Sequence, residues 1–234
     1  MSVSEKLITV SENQEKIYQA GKNKEYDTFW DAYQQKGRRT SYINGFHGAG
    51  WTDDNFRPKY DIVVSGSGGW MFSYTKISSL GDVKLDLSGC TKVTDMFIST
   101  AFVELPALDV SKAADLNTMF AFSSSLKKVG TLKLGTNQTF VNTFQKCSSL
   151  KEISFSGEIS RSIDFSACPL TPESMINIIM HLAFYKDTEN QYKYTVKFSE
   201  SCWEAMENSD YDVTEYNGSV ACWQDYCAYN GWNT

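Results

Sequence analysis

Two histidines, six cysteines and a recurring aspartate are the residues here whose types could support chemistry. A nucleophilic triad needs a histidine beside a nucleophile and an acid. His47 and His181 are far apart and neither sits in a metal-ligand motif, so His47 reads as a loop residue and His181 as a helix flank. Cys90, Cys147, Cys168, Cys202, Cys222 and Cys227 are even in number, but their spacing is not that of a small stapled scaffold. Only Cys222 and Cys227 are close, and with no second pair and no nearby histidine they do not read as a zinc site. The Ser65–Gly69 run lacks the Lys-Ser/Thr of a phosphate-binding loop and reads as a flexible turn. No catalytic residue, metal or cofactor is expected.

The aspartates are more informative. Asp61, Asp86, Asp109, Lys133 and Asp164 recur at one outward position of a repeated strand pattern. Stacked like charges at strand spacing are mildly destabilising, so an acidic ladder asks for a reason. One reason is recognition of a basic peptide, a cell-envelope polymer or a cation. Another is a solvated face that discourages lateral sheet aggregation. A third is glycoside hydrolysis by paired carboxylates, for which these aspartates and Asp53-Asp54 are the candidates. Trp70 and Tyr74, near the strip, could stack on a sugar ring or belong to the core.

Composition narrows the setting. The 234 residues are enough for a sizeable core, with 41% hydrophobic and 21% charged residues. A net charge of −6 argues against tracking phosphates of nucleic acid or an anionic membrane. Apolar runs are too short to span a bilayer, and the first residues lack the basic and apolar regions of a Sec signal.

What positions the aspartates is a repeat. Tyr60-Asp61-Ile62 recurs as Leu85-Asp86-Leu87, Leu108-Asp109-Val110, Leu132-Lys133-Leu134 and Ile163-Asp164-Phe165. Met71-Phe72, Met96-Phe97, Met119-Phe120 and Thr143-Phe144 keep the same step of about 24 residues, the length of one solenoid coil. Ile77, Phe102, Leu126 and Leu150 form another series, and Leu80, Leu105, Val129 and Ile153 a third. Each L-x-L is a short strand with one inward face, and an isolated coil cannot cover its own apolar strip. Stacked coils can. Cys90, Ala113, Asn137 and Cys168 share one small, inward position after the strand, which makes Cys90 and Cys168 buried free thiols. The step from Leu132 to Ile163 is longer, so Phe155–Ser162 must bulge or add a strand.

Solenoid ends need covers. Residues 1–59 read as a helical N-terminal cap with a linking loop. Ser11 and Gln14 open one helix, and Tyr26, Phe29, Trp30 and Tyr33 stripe a second that Gly37 ends. Tyr42–Trp51 is the loop. Residues 60–170 are the solenoid, of about four to five coils. Residues 171–234 are a helical C-terminal cap, with helices from Thr171, at Cys202–Glu207 and at Ser219–Tyr229, and a last strand at Thr195–Phe198.

The stretches LDLSGCTKVTDMF and FQKCSSLKEISF resemble the BspA-type leucine-rich repeats of bacterial surface proteins. With KLITVSENQEKIYQAGKNKEYDTFWDAYQQKG, YINGFHGAGWTDDNFRPKYDI, LTPESM and GWNT, the chain resembles a phage- and prophage-associated group from gut bacteria. The resemblance implies an α/β leucine-rich-repeat-like solenoid that recognises a partner and does not catalyse a reaction, on a virion or cell surface. Its expected partner is a protein or envelope polymer, held on the strand face. The N-terminal cap would attach to other phage proteins. Alternatives are an exported bacterial adhesin and a glycan hydrolase using the strand-face carboxylates.

Overall fold

The computed structural model describes residues 39–41, 45–58, 61–213 and 220–234, the first three by backbone alone. The expected N-terminal helices, with Ser11, Gln14, Tyr26, Phe29, Trp30, Tyr33 and Gly37, lie outside the described residues.

Alternating apolar residues produce short strands, and a repeat of about 24 residues brings each strand beside its counterpart one coil later. The order is β1 (Arg39–Ser41), β2 (Ile62–Ser67), β3 (Leu85–Asp86), β4 (Glu104–Leu105), β5 (Leu108–Asp109), β6 (Lys128–Lys133), β7 (Glu152–Ser156) and β8 (Ile163–Phe165). Helix α1 (Pro172–Met180), β9 (Val196–Phe198), α2 (Glu200–Glu207) and α3 (Trp223–Tyr229) follow. Every pairing between these strands is parallel. The fold is a parallel β-solenoid with few helices.

Two strand ladders run through the coils that hold β4 to β7. Leu108 pairs with Leu132 and Leu132 with Phe155; Leu105 pairs with Val129 in the second ladder. Between them runs a ribbon of consecutive turns carrying the Met-Phe pairs. Alternate N–H groups of the ribbon bond the next coil: Phe72 to the Met96 carbonyl at 2.9 Å, Phe97 to Met119 at 2.8 Å, Phe120 to Thr143 at 3.1 Å. The intervening N–H groups close turns within the coil, as Met71 does to Gly68 and Ser73 to Trp70, both at 3.2 Å. The backbone is thereby satisfied without a continuous strand.

The core is a column of rings. Phe46, Phe72, Phe97, Phe120, Phe144, Phe165 and Phe198 stack successively, with centroids 4.6 to 5.8 Å apart and planes within 24° of parallel. Close approach of coils also explains one glycine. A Cβ on Gly135 would stand 2.2 Å from the Ser111 carbonyl oxygen, so no side chain fits there.

Several registers differ from the sequence expectation. Asp86 pairs with Val63, not Asp61, because the apolar run Ile62-Val63-Val64 supplies the inward residues Ile62 and Val64. The expected extra stretch does add a strand: Phe155 and Ser156 prolong β7 and take the places beside Leu132 and Lys133. Asp164 therefore does not continue that ladder and pairs with Lys197 of β9. Buried Gln138, not exposed Asn137, takes the inward position after β6, since Asn137 takes a φ of 57° and shifts the chain by one. Gln138 donates to the Val110 and Ala113 carbonyls, both at 2.7 Å. Stacking also begins before residue 60: the Phe46 N–H bonds Met71 and that of Gly48 bonds Ser73, so the expected linking loop belongs to a coil.

Near the C-terminus, Thr171 accepts the Ser174 N–H at the start of α1, with Pro172 in its first turn. Side chains of α1 meet the edge of β7, where the Ile153 N–H bonds Ser174 Oγ and the Phe155 N–H bonds Asn177 Oδ1. Trp203, Trp223 and Trp232 are buried, and Gly231 turns at a φ of 89°. Helix α3 begins at Trp223, later than the Ser219 expected.

Candidate binding site

The strand face places its carboxylates in turns. Asp86, Asp109 and Asp164 each accept, through Oδ1, the N–H of the serine two residues on. These D-x-S units are Asx turns that leave the strand, which gives the recurring aspartate a structural reason. Asp109 also meets Lys133 Nζ at 2.8 Å. Burial raises its carboxyl, but the Lys133 ammonium and the Ser111 N–H and hydroxyl outweigh that and lower it to about 2. A glycosidase acid needs the opposite shift. Asp164 faces Lys197 at 3.9 Å, and Asp61 accepts the Lys84 N–H. Asp53 binds the Ser78 N–H and hydroxyl, whose hydrogen bonds lower its pKa and join two coils.

The strip predicted as one face is thus divided. Asp109 and Lys133 pair in the first ladder, Asp86 lies beside them on β3 of the preceding sheet, and Asp61 and Asp164 fall outside that ladder. An open groove of about 500 Å³ runs between β3 and β5, lined by Asp82, Lys84, Asp86, Pro106, Ala107 and Asp109 among others. The second ladder carries a charge pair that sequence reasoning missed, Lys128 Nζ to Glu152 Oε2 at 2.5 Å. Period-two alternation in Glu104-Leu105, Lys128-Val129 and Glu152-Ile153 was the available signal.

The turn ribbon is different. Trp70, Tyr74, Asp95, Ser99, Thr118, Phe122, Asn142 and Lys146 all have φ between 54° and 62°. They occur in pairs four residues apart, in register from coil to coil, and none of them is buried, whereas the residues between them are buried except for Gln145. Left-handed backbone costs about 1–2 kcal/mol at each non-glycine position. Here it is held in place by coil-to-coil hydrogen bonds such as Tyr74 N–H to Ile98 at 2.9 Å and Phe122 N–H to Gln145 at 2.7 Å. Large side chains result on a rigid face: Trp70, Tyr74, Phe122 and neighbouring Val141 are all exposed. Phe140, next to Val141, is buried.

Trp70 and Tyr74, foreseen as aromatic contacts, come together with centroids 6.5 Å apart and planes 32° from parallel. The structure adds His47, whose ring lies 6.0 Å from Trp70 and 5.7 Å from Tyr74. Its Nδ1 is 2.7 Å from Ser73 Oγ. His181 is occupied otherwise, with Nδ1 2.7 Å from the Asn177 carbonyl.

No family model, curated protein or solved structure matches this chain. Among the described residues there is no cluster of three metal-binding side chains, and no helix is long and apolar enough to cross a membrane.

Proposed function

We propose that this chain is a non-enzymatic recognition module that holds a protein or envelope polymer against the outer face of its turn ribbon. One observation carries the reading. Trp70, Tyr74 and Phe122 are exposed at backbone positions that disfavour large side chains, on a scaffold that fixes their spacing. Strain of this kind clusters where side chains must be presented, and exposed aromatics are the usual anchors of an interface. The strand face is the less favoured location, because its carboxylates already serve Asx turns and Lys133. A leucine-rich-repeat kinship and a place on a phage particle or bacterial surface are further parts of the proposal, supported by the resemblance of the repeat.

Binding of labelled protein to bacterial cells and purified envelope polymers tests it, with two double variants. Asp86→Asn with Asp109→Asn removes strand-face charge while leaving an oxygen for each turn. Tyr74→Ser with Phe122→Ser alters only the ribbon, using the residue already present at the equivalent Ser99. The expected result is saturable binding lost in the second variant and kept in the first. Loss only in the first would move the site to the strand face, and absence of binding would overturn the recognition reading.

A further inference from the structure

We infer that His47, Trp70 and Tyr74 form a binding site for one ring of a neutral carbohydrate, with His47 Nε2 as its hydrogen-bond acceptor. The inference rests on the recognition reading above and names the ligand class.

The hydrogen bonds fix the imidazole. Ser73 Oγ lies 2.8 Å from the Trp70 carbonyl, which can only accept. A hydroxyl has one proton, so the Ser73 proton goes to that carbonyl and its oxygen accepts from His47 Nδ1 at 2.7 Å. In the neutral ring Nε2 is then a bare acceptor, and His47 is exposed. Among the described residues no partner meets His47 Nε2, the Trp70 indole N–H or the Tyr74 hydroxyl. Three exposed rings therefore bring one acceptor, one donor and one group able to do either.

Geometry selects among ligands. Ring centroids 5.7 to 6.5 Å apart are at packing distance. The space between the rings is filled by the rings themselves, so they cannot enclose an ammonium group as an aromatic cage does. A ligand must lie across their outer surface. It must offer apolar C–H faces to the aromatics and hydroxyls at its edge to Nε2, and a pyranose ring offers both. None of the three residues is a lysine or arginine, and the chain carries a net charge of −6, which disfavours an anionic sugar. Four of the six outward ribbon positions in later coils, Asp95, Ser99, Thr118 and Asn142, are small and polar, the other two being Phe122 and Lys146. They give a longer chain hydrogen-bonding groups at successive coils.

The ribbon itself supplies variants that should fold. Asn142 occupies the place of Trp70 in a later coil, and Ser99 the place of Tyr74. Trp70→Asn and Tyr74→Ser therefore put residues the fold already accepts into the left-handed positions. His47→Phe keeps a ring and removes the acceptor; His47→Gln restores an acceptor.

The test is isothermal titration of the full chain with tetrasaccharides of β-linked N-acetylglucosamine, glucose and galactose. At least one should bind saturably, with at least tenfold weakening in Trp70→Asn, Tyr74→Ser and His47→Phe and partial recovery in His47→Gln. All variants should keep the wild-type circular dichroism. Binding that survives the three variants, or no binding of any tetrasaccharide, overturns the inference. Cell binding that needs Tyr74 but is not competed by any tetrasaccharide also overturns it, while leaving the recognition reading intact with a protein partner.

Discussion

The thiols of Cys147 and Cys227 are pushed up to about 12 by burial, from an ordinary value of 9.0. Cys147 Sγ lies 3.1 Å from the Phe120 carbonyl of the coil before, and Cys202 Sγ 3.2 Å from the Cys168 carbonyl. All six cysteines are free, and Cys222 is the one not fully buried. A maleimide reagent at pH 7.5 is therefore expected to label Cys222 alone in the folded chain and the other five only after denaturation, as intact-mass spectrometry would read. Rapid labelling of any buried thiol would contradict the packing. The sign of the pH effect follows from the raised values: the folded state holds protons that the unfolded state releases above about 9. Stability is fully present below that pH and falls as pH rises toward 12, which thermal melts across this window measure. Burial of Cys90 and Cys168 was legible in the sequence, because small residues recur at their place in the repeat. The pairing of His47 with Ser73 was not, since nothing local links residues 26 apart before the coil register is known.

Among elements, the strands and the turn ribbon were legible to different degrees. Leu85, Leu108 and Leu132 announced their strands because a strand needs only alternation, which sequence displays directly. The register at the two ends of this series was ambiguous for the same reason. Ile153-Ser154-Phe155 and Ile163-Asp164-Phe165 alternate equally well, and only packing chose Phe155 to sit beside Leu132. The left-handed positions were hidden, since Trp, Tyr, Phe, Thr and Lys carry no turn signal of the kind Gly or Asn gives. This contrast is measurable within one coil step. Phe120 is fully buried between Phe97 and Phe144, at 5.6 Å from each. Phe120→Ala is expected to destabilise by about 3–5 kcal/mol. Lys146 is exposed at a φ of 59°, so Lys146→Asn is expected to be neutral or stabilising and Lys146→Val destabilising by about 1 kcal/mol or more. Urea titrations give all three values. A stabilised valine variant would show that the left-handed ribbon is not what the chain adopts.

For the whole molecule, the column of phenyl rings and the parallel ladders make each coil depend chiefly on its neighbours, which is the condition for a modular solenoid. Removing residues 109–132 deletes one 24-residue step and joins Leu108 to Lys133, its equivalent continuation in the next coil. Lys133 then takes the place of Asp109 beside β3, and Phe97 stacks on Phe144, so the ring column closes again. The second ladder closes badly. Glu104 now stands opposite Glu152, because Lys128, which faces both in the full chain, has been removed. Like charges directly opposite each other destabilise a strand pair by up to about 1 kcal/mol. The shortened chain is therefore expected to fold cooperatively with a lower melting temperature, and Glu152→Lys is expected to recover part of the loss in the shortened chain. In the full-length chain the same substitution should lower stability, since it breaks the pair with Lys128 and sets two lysines side by side. Opposite signs of one substitution in two chain lengths are a signature of coil-to-coil register, and a loss of equal size in both would mean the second ladder does not set it.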